Sequence, residues 1–174
     1  MTTPGTPTAR RRFSLPLALG AVAAAALVPF GAAQFGSTGD LRLVVTGGEH
    51  EGEYVLSDVT FFLCAFGLPE PGWFDVQYFA DDQTAWPSSV QAGHRGPDAP
   101  EVDTPDVVIG FGDMAADGAG YVVWEAQGEG TVESRVVEEG ETATLTLEAT
   151  TSTGVAFSLE VVCDDVYRFE GGQG

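Results

Sequence analysis

The side chains able to do chemistry in this 174-residue chain are few and widely spaced. Cys64 and Cys163 stand 99 positions apart, and neither has a histidine near it in sequence, so a metal pair or a catalytic thiol gives way to a disulfide. His50 lies between Glu49 and Glu51, but no second histidine is spaced to complete a metal site, and the segment reads as a solvated turn. Neither His50 nor His94 has sequence neighbours suggesting a base–nucleophile pair. A Gly-x-Ser-x-Gly elbow and a His-Glu-x-x-His helix are both missing. Paired carboxylates can always be chosen from 26 acids, so they discriminate nothing. No catalytic residue is expected, and the chain reads as a non-enzyme.

Two further sets could bind. Asp98, Glu101, Asp103 and Asp106, with Asp113 and Asp117, offer oxygen ligands, and calcium is the one cofactor they suggest. Asp113–Gly118 has acids at positions one and five of a calcium loop and glycine at six. Ala115 at position three and Trp124 at position twelve fail the pattern. The loop aromatics Trp73, Phe74 and Trp86 are the second set. They could form a platform for an apolar or envelope ligand, or stack on a carbohydrate.

Charge narrows the partners. Three of the seven arginines precede residue 13 and no acid precedes Asp40. The body after the leader therefore carries four arginines, no lysine and 26 acids, a net of −22. Such a surface repels nucleic acid and anionic membranes.

The first 33 residues read as a signal peptide. A polar stretch ends in Arg10-Arg11-Arg12, an uncharged run follows over 13–30, and Gly31-Ala32-Ala33 supplies small residues, with cleavage expected before Gln34. Arg10–Phe13 also fits a twin-arginine signal, and an ordinary basic leader remains the alternative. Membrane association would follow only from an uncleaved leader. No cysteine at the cleavage region offers a lipid attachment point. The expected location is the cell envelope or the extracellular space, where a disulfide persists.

The elements that must position these groups are strands. Residues 34–39 read as a flexible lead-in, 40–165 as a β domain and 166–174 as a tail. Strands are expected at 41–46, at Val59–Phe66 (apolar on both parities, hence covered on both faces), at Phe74–Ala80 as hairpin partner of the cysteine strand, and at Val107–Phe111. Prolines 87, 97, 100 and 105 break most of 81–106, leaving room for one short strand near Val90.

Gly120–Cys163 reads as a four-strand meander. Turns at 128–130, 138–141 and 151–153 set Trp124 against Ser134, Val132 against Leu147 and Leu147 against Phe157, with every apolar set on one face. About eight or nine strands then give an all-β antiparallel sandwich or flattened barrel closed by Cys64–Cys163.

Phe157–Cys163 resembles the closing strand of the mycobacterial lipoprotein-antigen (LpqH-type) family. An opening strand, the Val59–Cys64 strand, the Asp106–Gly112 segment and a Gly128/Gly130 turn follow in the same order. The resemblance covers about 41–163. It implies an actinobacterial envelope protein with one disulfide and no established catalytic residues. The family's lipid-attachment cysteine is missing, and Thr151–Gly154 is short for it. Together these features predict an exported, non-catalytic β domain that binds an apolar or envelope ligand or a protein partner. The alternatives are a calcium-stabilised structural or adhesion domain and a carbohydrate-binding module.

Overall fold

Eleven strands, β1 (Ser37–Thr46), β2 (Gly52–Phe61), β3 (Leu63–Phe66), β4 (Trp73–Phe79), β5 (Ser89–Arg95), β6 (Val107–Phe111), β7 (Ala119–Val123), β8 (Gly130–Glu139), β9 (Thr142–Thr151), β10 (Ala156–Cys163) and β11 (Tyr167–Arg168), make up the computed structural model. It describes residues 36–80, 87–112 and 119–169, all within one compact unit, Ala33–Gly174. The expected leader, Trp86, Asp113 and Asp117 lie outside the described residues.

The strands form two sheets, ordered β2-β1-β10-β9-β8 and β11-β3-β4-β5-β6-β7. All pairs are antiparallel except β11 with β3. The molecule is thus a sandwich and not a closed barrel. Alternation dictates the inner layer: Leu41, Leu43 and Val45 face Val161, Leu159 and Phe157 across β1 and β10. Phe74, Val76, Tyr78, Val90, Ala92, Val107 and Ile109 supply the opposing sheet, and all are buried. Cys64 on β3 and Cys163 on β10 join the two sheets through this layer, with Cα atoms 6.3 Å apart and both residues fully buried.

Several expectations need correction. β1 starts at Ser37, inside the segment expected to be lead-in, because its first residues pair with Phe61, Thr60 and Val59 of β2. The expected Val59–Phe66 strand is two strands. The chain leaves the first sheet after Phe61 and enters the second at Leu63, with the Phe62 amide donating to the Gln77 carbonyl at 2.8 Å. His50 is buried, not solvated, with its ring stacked 4.3 Å from that of Phe111.

The meander has three strands in its sheet, not four. β7 pairs with β6 in the opposite sheet, as Val107↔Val123 and Ile109↔Tyr121. The chain then makes a 3₁₀ turn over Glu125–Gln127 and crosses over at Gly130. Gly130 has φ +125°, and a Cβ there would lie 2.2 Å from the Thr150 carbonyl oxygen, so only glycine fits the crossing.

The other two turns keep the expected faces but shift register by two. Val132 opposes Ala149 instead of Leu147, and Leu147 opposes Leu159 instead of Phe157. The β8–β9 turn is only Gly140-Glu141, while the β9–β10 connection runs from Thr151 to Val155, whose carbonyl accepts from the Thr151 amide.

A disulfide closing a loop this long stabilises by about 4–5 kcal/mol in the chain-entropy model. Replacing both Cys64 and Cys163 by alanine should therefore lower the unfolding free energy by roughly that amount, read as a large fall in the urea midpoint. An unchanged midpoint would mean that apolar packing alone holds the sheets together.

Candidate functional site

The outer face of the second sheet is where polar chemistry is buried. Along β4, Trp73, Asp75 and Gln77 alternate with the core residues Phe74, Val76 and Tyr78, so they share the outer face. Asp75 lies between Ala65 of β3 and Gly93 of β5, and Gln77 lies opposite Gln91. Small neighbours on both sides leave a hollow over Asp75.

Two loops raise walls around that hollow. Leu68 and Pro69 come from the turn between β3 and β4, and Thr104 and Pro105 from the connection between β5 and β6. The second loop is tied down at several points. Gly96 donates to the Gly72 carbonyl, Gly93 to the Asp106 carbonyl, and the Trp73 indole Nε1 to the Pro100 carbonyl at 2.8 Å. The Trp73 ring lies over Gly93, where a Cβ would come within 3.2 Å of it. The result is a concavity of about 210 Å³ lined by Leu63, Leu68, Pro69, Trp73, Gln77, Gln91 and Pro105 around the Asp75 carboxylate.

Asp75 is only 7% exposed. Its Oδ2 accepts from Gln77 Nε2 at 2.6 Å, and Oδ1 has no hydrogen-bond partner among the described residues. Burial pushes its carboxyl up from 3.8 to about 6, partly offset by the Gln77 hydrogen bond. The two ion pairs of the described residues, Arg42–Glu53 and Arg168–Glu138, lie elsewhere, so no ion pair compensates Asp75 among those residues. No second carboxylate lines this pocket, and the paired acids of glycoside hydrolysis are not assembled there.

A larger concavity, about 370 Å³, shares Trp73, Gly93 and Thr104 with the first and opens toward the seam between the sheets. In it His94 Nδ1 lies 2.9 Å from Ser134 Oγ, a pair 40 residues apart that sequence spacing does not suggest. Burial lowers the His94 pKa. No carboxylate accepts from its other ring nitrogen among the described residues, so nothing orients the ring as a serine-activating base requires. The pair bridges β5 and β8 across the sandwich.

The residues expected to bind fare differently. Trp73 is 5% exposed and pins a loop, and Phe74 is in the core, so neither ring is a platform. The carbohydrate reading needed Trp73 exposed beside Trp86, and burial of Trp73 overturns it. The exposed aromatic pair is Phe62 and Phe79, edge-on with centroids 5.9 Å apart. Asp98 and Asp103 are exposed, and Asp106 Oδ2 accepts the Glu125 amide at 2.8 Å, capping the 3₁₀ turn. No group of three metal-binding side chains forms among the described residues, so Asp98, Asp103 and Asp106 do not converge by themselves, and Asp113 and Asp117 lie outside those residues.

Asp75 ties folding to pH. The folded chain holds its proton up to about pH 6, whereas the unfolded chain releases it near pH 3.8. Between those values the folded state binds more protons, so raising the pH across that window costs stability, on the order of 3 kcal/mol for this group. Asp75→Asn should therefore stabilise the chain by about 1–3 kcal/mol at pH 7.5 and give no gain near pH 3.5. Urea melts of both proteins at the two pH values check this, and an equal effect at both would contradict it.

The chain matches no family model, no curated protein and no solved structure, so the pocket's chemistry is read from its own residues.

Proposed function

We propose that this chain is an exported, non-catalytic β domain of lipoprotein-antigen type, acting in the cell envelope or outside the cell, and that it binds a protein partner through the Asp75 pocket. The observation that carries this reading is an uncompensated carboxylate, 7% exposed, at the base of a walled hollow. A sandwich gains no stability from such a group, since burying a charge without a partner is costly. A convergent polar group in an apolar-walled concavity is what a binding site requires.

The size of the hollow supports a side chain as occupant. Sites for drug-sized ligands run to roughly 300–1,000 Å³, and this one is about 210 Å³. The larger concavity is walled by His94, Arg95, Glu101, Asp106 and Glu125, which suits no acyl chain. Export is supported by the three-part leader and by a buried disulfide, which persists in oxidising compartments.

The oxidised native chain and Asp75→Asn, immobilised side by side, should differ when offered envelope and secreted proteins of the producing cell. At least one protein is expected to be retained tenfold or more on the native chain and, once purified, to bind it directly. The recovered natural protein should begin at Gln34 and lie outside the cytoplasm. Identical retention on both columns, or an intact leader on a cytoplasmic protein, would sink the proposal.

A further inference from the structure

We infer that the Asp75 pocket receives one basic side chain, an ammonium or guanidinium carried on an apolar stem. The inference deepens the binding-domain reading and rests on it. Three features of the pocket select that chemistry.

The first is the carboxylate. Oδ2 is held by Gln77, which fixes the orientation of the group, while Oδ1 is left without a partner among the described residues. A cationic N–H donor satisfies Oδ1 and at the same time compensates the buried charge, which a neutral donor does not. Gln91 stands opposite Gln77 on the neighbouring strand and lines the same hollow, so its amide oxygen offers a further acceptor for a group with several N–H bonds.

The second is the wall. Leu63, Leu68, Pro69 and Pro105 present aliphatic surface along the way to Asp75. Lysine and arginine bury a methylene stem and carry the charge at its end, so their two parts match wall and base in order. An anion is refused by Asp75, and a wholly apolar group would leave the carboxylate desolvated without compensation.

The third is the long-range field. The body of the chain carries a net charge of −22, so a partner presenting lysines or arginines is drawn toward it and acidic partners are repelled. The chain has no lysine of its own. Arg95, on the same outer face, pairs across the strands with Trp73, one pair removed from Asp75.

The test uses the full oxidised chain, labelled with nitrogen-15 and titrated with Nα-acetyl-lysine amide, Nα-acetyl-arginine amide and the uncharged norleucine amide. The two basic amides should bind with Kd on the order of a millimolar, as small fragments do, moving the resonances of Asp75, Gln77, Gln91 and Thr104. Norleucine amide on the native chain, and the basic amides on Asp75→Asn, should bind at least tenfold more weakly, with the spectrum of the variant reporting that it is folded. No other titratable group lines the pocket. Glu70, Asp98, Glu101, Asp103 and Asp106 belong to the flanking loops without lining it. Lowering the pH from 7.5 to 4.5 should therefore weaken the basic amides more than tenfold.

Butylamine separates the sources of the group. Binding by butylamine as tight as by lysine amide points to a free amine, and tighter binding by a lysine-containing peptide points to a protein. Equal binding of norleucine amide, or undiminished binding to Asp75→Asn, overturns the inference. If Asp75→Asn abolishes capture of a protein partner while basic amides neither bind nor compete, the binding domain stands and the basic side chain falls.

Discussion

The Cys64–Cys163 disulfide is the constraint on which the rest of the sandwich depends. It is the covalent tie between β3 of one sheet and β10 of the other, and it sits among side chains that are nearly all excluded from water. Its two residues are set by alternation along their strands, so the bond can form only if both sheets present the intended faces. A one-residue slip of either strand would turn its cysteine outward. With the inner layer fixed in this way, the outer face of β3, β4 and β5 becomes a firm floor. A pocket built on paired strands needs little ordering when a ligand arrives, which is the physical advantage of a preformed site.

Faces were legible in the sequence, while registers and sheet membership were legible only in part. The period of two placed Leu145, Leu147, Leu159, Val161 and Cys163 inward, and all of them are. Register depended on turn lengths, and both pairings of the right strands are shifted in register by two residues, which leaves every side chain on its face. Parity arithmetic cannot detect such a shift. Nor does it say which sheet a strand joins: Val123 points inward from either, and β7 pairs with β6, the strand before it, although β8 is as near in sequence. The 3₁₀ turn after Trp124, held by Asp106, replaces the hairpin that the Gly128/Gly130 pattern suggested.

The pocket is less legible, because its sequence signal is that of a solvated strand face. Asp75 and Gln77 supplied the polar half of an alternating strand, which ordinarily means a solvated face. The contrary sign lay in Leu63 and Ala65, outward-facing residues of β3 that are nonetheless buried. An apolar stretch on both parities does imply cover on both faces. Here that cover comes from loops folded over the sheet, and those loops are what desolvate Asp75. The sequence offers Trp73 as a loop aromatic, but its indole donates to the Pro100 carbonyl and so holds the wall of the pocket. Loop aromatics and loop acids attract attention in a sequence, and in this fold Trp73 and Asp106 serve as fastenings.

The acids of the described residues therefore divide into two kinds with different physics. The exposed ones act together at a distance. At physiological ionic strength each is screened over about 8 Å, so they raise the encounter rate of a cationic partner without choosing where it docks. Asp75 acts alone at contact. In its hollow the same unit charge interacts far more strongly than at the surface, because little water remains to screen it. Burial also pushes its carboxyl up to about 6. Under the proposed function, the surface brings a basic partner near, and the geometry of β3, β4 and β5 decides which nitrogen is held.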